Sequence, residues 1–104
     1  MNFIQIPFDR GIRMVQAEEI IRVEGHSNYS KIFFASGRPM TVAKVLHWFE
    51  DHLPVQMFAR VHRSHLVNKI FVYEINGSNY SNLLLTNGEC IPISRRKKIL
   101  LKAG

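Results

Sequence analysis

What most constrains this chain is how soon each apolar run is cut by a turn signal. Asp9-Arg10-Gly11, Gly25 to Asn28, Ser36-Gly37-Arg38, Asn76-Gly77-Ser78-Asn79 and Asn87-Gly88 punctuate short stretches rich in Ile, Val, Phe and Leu. Such spacing suits strands and tight turns and leaves no room for long helices. Phe3, Ile4 and Ile6 followed by Ile12, Met14 and Val15 read as a first hairpin. Ile20 to Glu24, Tyr29 to Ala35 and Met40-Thr41-Val42 read as three further strands. From Ala43 the period changes: Val45, Leu46, Phe49 and Leu53 recur at helical spacing, while Lys44, His47, Glu50 and Asp51 fall on the opposite side. A helix over 43–52 is expected, ended by Pro54, which disfavours helix at the residue before it. Met57 to His62 reads as a strand, Ser64 to Val67 as a tight or single-turn helical connection, and Ile70 to Ile75, Tyr80 to Thr86 and Cys90 to Ile93 as strands. Ser94 is a natural N-cap for a short helix over 95–102. The fold class expected is mainly β, with one short internal helix and a short C-terminal helix.

A chain of 104 residues fills one domain, here 1–104, and can bury a core without staples. The single Cys90 cannot form an intramolecular disulfide, and no apolar run is long enough to span a membrane. The start Met1-Asn2-Phe3-Ile4-Gln5 lacks the basic and apolar regions of a signal peptide, so a cytoplasmic location is expected. Charge is unevenly distributed. Residues 53–104 carry eight Lys and Arg against Glu74 and Glu89, whereas residues 1–52 carry six cations and six carboxylates. That asymmetry points to a polyanionic partner, nucleic acid or an anionic surface. The membrane option is the weaker, because the basic stretch from Arg95 to Lys102 has no aromatic anchor.

The densest group of donors is Phe58-Ala59-Arg60-Val61-His62-Arg63-Ser64-His65-Leu66-Val67-Asn68, with Lys69 directly after it. This string resembles the histidine-arginine-serine, apolar, valine-asparagine segment of the LytTR (LytR/AlgR-type) family, the DNA-binding output domain of bacterial response regulators. Glu24-Gly25-His26-Ser27-Asn28-Tyr29-Ser30-Lys31-Ile32 resembles that family's first recognition loop. Ile91-Pro92-Ile93-Ser94-Arg95-Arg96 resembles the strand end and basic cap before its last helix. The resemblance covers residues 3–102. It implies an elongated arrangement of small antiparallel sheets with loops displayed along one side, and sequence-specific transcriptional regulation through loops inserted in the major groove. The partner implied is double-stranded DNA, promoter repeats among its forms, bound by one copy or by a homodimer.

DNA recognition needs side chains that reach base edges and groups that hold phosphates. Arg63 and Arg96 are candidate base readers, because a guanidinium fork can donate twice to guanine. Asn28 is a third, since an amide can pair with adenine. His26 and Tyr29 share its loop, and Tyr29 is as readily explained by core packing. His62 and Asn68 bracket the basic turn, where tying loop backbone into shape is as reasonable as ligand contact. Lys44, Arg60, Lys69, Arg95, Lys97 and Lys98 are phosphate candidates, and Ser94 could present free backbone N–H groups to a phosphate.

Enzymatic readings find no convergent set. His62 and His65 lack a third ligand at zinc spacing, and the carboxylates are scattered or merely adjacent, so no catalytic residue, metal or cofactor is expected. Cys90 reads as a small core residue. The competing class is a protein-interaction module pairing through an exposed strand edge or the Leu84 region. RNA ranks third: Phe33 and Phe34 point to opposite faces, and Phe71 and Tyr73 read as core.

Overall fold

A computed structural model describes residues 2–95. The molecule measures 44 × 27 × 22 Å and is mainly β, built from three antiparallel sheets. Strands β1 (Phe3–Phe8) and β2 (Gly11–Gln16) form a hairpin over the turn Asp9-Arg10, both residues with positive φ. β3 (Ile20–Gly25), β4 (Ser30–Phe34), β5 (Met40–Val42), β6 (Phe58–His62) and β7 (His65–Asn68) make a five-stranded sheet in the order β5-β4-β3-β7-β6. β8 (Val72–Asn76), β9 (Asn82–Leu85) and β10 (Cys90–Pro92) make a smaller sheet, ordered β10-β9-β8. One α-helix is found among the described residues, α1 (Leu46–His52). None there is long and apolar enough to cross a membrane.

The central sheet is covered on both faces, which explains why β3 and β7 are so apolar. On one face Val23, Ile32, Phe58 and Leu66 pack with Ile4 and Ile6 of the first hairpin and with Leu46 and Phe49 of α1. On the other, Ile21, Ala59, Val61 and Val67 pack with Leu83, Leu85, Ile91 and Ile93 around the small sheet. Leu66 and Val67 thus serve two different cores, as successive residues of a strand must.

Several local expectations are corrected. Residues 65–68 are strand β7, not a helical connection, because Leu66 and Val67 bury opposite faces. The helix begins at Leu46: Val45 keeps extended φ/ψ as its N-cap and is 46% exposed, so it is no core residue. The end near His52 agrees, with the Leu53 amide bonded to the Phe49 carbonyl. Lys69–Phe71 is a 3-10 turn ahead of β8, which leaves Ile70 exposed. Tyr73 is 70% exposed, and Cys90 faces solvent because Ile91 takes the inward position of β10. Beyond Arg95 the expected helix over 95–102 lies outside the described residues.

Candidate nucleic-acid interface

The β6–β7 hairpin turns through Arg63 and Ser64, with His62 paired to His65 across the tip. Arg60 builds this turn from below. Its Nε donates to the His62 carbonyl (3.0 Å), one terminal nitrogen to the Arg63 carbonyl (2.6 Å), and the other to Glu50 Oε1 on α1 (2.9 Å). The Ser64 amide donates to His62 Nδ1 (3.1 Å), so the neutral ring carries its proton on Nε2. Arg63 itself is exposed.

The first loop joins the tip through backbone: the Gly25 amide donates to the Ser64 carbonyl (2.8 Å) and the His26 amide to the Tyr29 carbonyl (2.8 Å). Gly25 also lies against α1, where a Cβ would stand 2.8 Å from the Leu46 Cβ, so a side chain here would displace the helix. Asn28 and His26 are exposed, and Tyr29, 39% exposed, stacks on the His26 ring (4.6 Å, 13°) instead of entering the core. Lys44 is adjacent: its carbonyl accepts from the buried Ser30 hydroxyl (2.8 Å), and its ammonium lies 5.9 Å from the Trp48 ring centroid. The third segment arrives beside β6, where the Ser94 amide donates to the Val61 carbonyl (2.9 Å), followed by exposed Arg95.

The structure therefore gathers His26, Asn28, Tyr29, Lys44, His62, Arg63, Ser94 and Arg95 at one end. Asn68 and Lys69 stand apart, at the opposite end of β7. Asn68 is fully buried and out of reach of any phosphate. It positions backbone, donating to the Ile20 carbonyl (2.9 Å) and accepting from the Ile70 amide (3.2 Å). Each nitrogen of the Arg60 guanidinium is engaged by the turn or by Glu50, so it too positions the loop. Arg96, Lys97 and Lys98 lie outside the described residues.

An ionic line centred on a buried arginine runs beneath the loops. Arg22, 6% exposed, meets Glu89 with a two-pronged contact (Nε 3.1 Å, terminal nitrogen 2.9 Å), reaches Glu24 (3.0 Å) and lies over the Phe33 ring at 3.9 Å. Burial opposes its charge, but the hydrogen bonds it donates to Glu89 and Glu24, with their negative charge, outweigh that and raise its pKa. Burial likewise opposes the Glu24 charge, yet the Arg22 contact holds its pKa below the usual value; for Glu89 the Arg22 contact is the largest cause. His65 sits beside this line with its Nδ1 buried and without a hydrogen bond, and burial followed by the neighbouring His62 lowers its pKa. Sequence reasoning gave no role to Arg22 or Glu89, although one arginine inside the run Ile20-Ile21-Arg22-Val23 was a visible anomaly. Among the described residues no three His, Cys, Asp or Glu side chains are grouped to hold a metal.

Three loops gathered at one end of a two-core, mainly β domain define a class of small recognition domains. The profile of the LytTr DNA-binding domain matches residues 10–103, and this chain belongs to that family. It is 30% identical over 94 residues to the sensory transduction protein LytT of Enterococcus faecalis, spanning 88% of this chain but only 38% of that protein's length. Its fold matches, at a TM-score of 0.80 and 23% identity, the LytTr DNA-binding domain of a Bacillus cereus protein described as a methyl-accepting/DNA response regulator, over 99% of this chain and 95% of that one.

Proposed function

We propose that this domain binds double-stranded DNA in a sequence-dependent way and thereby regulates transcription, presenting the β6–β7 turn and the first loop to the major groove. The observation that supports this is the division of work at the hairpin tip: Arg60 holds the turn from beneath by the His62 and Arg63 carbonyls, and Arg63 is left exposed. A preorganised arginine fork suits guanine O6 and N7. Asn28 and Arg96 are the other base readers, while Lys44, Arg95, Lys97 and Lys98 contact phosphates. Ser94 brings its segment alongside the duplex.

Selection from a randomised duplex pool, followed by fluorescence anisotropy at several salt concentrations, tests this. The expected result is an enriched sequence whose affinity falls steeply with salt, as counterions leave the phosphates. An absence of enrichment, or no duplex binding at low salt, would reject it and favour pairing through a strand edge.

A further inference from the structure

We propose that Arg22 is the positioning residue of the first loop, holding Glu24 so that Glu24 in turn orients the His26–Tyr29 ring pair. The line has no gap. Glu89, on the turn between β9 and β10, grips the Arg22 guanidinium with both carboxylate oxygens, and the remaining terminal nitrogen takes Glu24 Oε1. The other Glu24 oxygen lies 3.0 Å from His26 Nε2, and the His26 ring stacks on Tyr29. A carboxylate on the β9–β10 turn is thereby connected to a ring of the first loop.

Packing alone does not call for this arrangement. Arg22 pairs with Val67 on the face that otherwise holds Ile21, Val61 and Ala59, where an apolar side chain would fill the space without the cost of desolvating a charge. What the fork provides is direction: a planar group held by Glu89 in a two-pronged contact aims its remaining terminal nitrogen at Glu24. Glu24 could otherwise turn towards Lys31 or His65, its cross-strand neighbours on β4 and β7. Backbone bonds fix the base of the loop, from the Gly25 amide to the Ser64 carbonyl and from the His26 amide to the Tyr29 carbonyl, whereas the ring pair itself is met by the Glu24 carboxylate at His26 Nε2.

The consequence for DNA rests on the function proposed above; the consequence for the loop does not. Arg22→Met keeps the bulk and removes the fork, and Glu89→Gln weakens the same line from its more exposed end should Arg22→Met fail to fold. In proton NMR of the free protein, both variants should shift the His26 and Tyr29 ring resonances towards unstacked values while the Leu83 and Leu85 methyl signals stay in place. In binding, both should lose about tenfold in affinity for the selected duplex, the scale of one misread base pair, and little for a scrambled one. Arg22→Lys, which keeps charge without the fork, should not restore either signal. Unmoved ring resonances in folded variants would overturn the proposal. So would equal losses on both duplexes, which would mark Arg22 as merely structural. If the unmodified protein binds no duplex, the DNA reading fails, and the ring resonances alone decide the role of Arg22.

Discussion

Arg60 and Arg63 stand three residues apart and share only their charge. Arg60 is committed to two carbonyls and Glu50, so Arg60→Ala should lower stability by about 1–3 kcal/mol, visible as a lower melting temperature. Arg63→Ala should leave the melt unchanged and cost about 1–3 kcal/mol in binding to the selected duplex, with preference flattened at one base pair. A melt that falls with Arg63→Ala would show that its side chain braces the turn. Asn68→Ala strands a buried carbonyl and an amide, and should cost about 1–3 kcal/mol of stability by denaturant titration. His65 contributes to the pH response. Its folded pKa is lower than its ordinary 6.5, so the unfolded chain takes up protons first. Its contribution to stability is therefore complete above about pH 6.5 and declines as pH falls through that value towards the folded pKa. His65→Gln should flatten that part of the melting profile. Glu24 and Glu89, shifted down from 4.5, withdraw their stabilisation only as pH falls below that value.

Strands and helices differed in how plainly the sequence announced them. Turn chemistry at Asp9-Arg10-Gly11, Asn76-Gly77 and Asn87-Gly88 marked the hairpins, since few residues accept the backbone those turns need. Helix α1 was visible in its period, but its start was read early because Val45 continues that period while standing outside as an N-cap. β7 was misread for a physical reason: a strand buried on both faces shows no alternation, and four residues offer too little length to separate it from a helical turn. The loop cluster was legible as three basic or polar segments. Their meeting was not, because it depends on long-range backbone bonds such as Gly25 to Ser64 and Ser94 to Val61. Gly25 is the element-scale test. Gly25→Ala would push its Cβ into Leu46, and should destabilise the domain by about 1–3 kcal/mol unless α1 shifts, a movement that NMR shifts of Leu46 would report.

Across the whole molecule, excess positive charge belongs to residues 53–104, and the described part of that segment supplies β6, β7 and the small sheet. Charge asymmetry visible in the sequence thus becomes, through the fold, the hairpin tip and the approach of Ser94 and Arg95. Lys97→Ala should weaken binding to all duplexes alike and lower the dependence of log affinity on log salt by about one unit. An effect confined to one sequence would reassign Lys97 to base contact. The backbone bonds that join the three segments have a further consequence, for heredity. Gly25 to Ser64 and Ser94 to Val61 are amide-to-carbonyl links, and the exposed Asn28 and Arg63 side chains take no part in them. On the base-reading role proposed above, descendants of such a gene could exchange those two residues, and with them the DNA word being read, while keeping these backbone links.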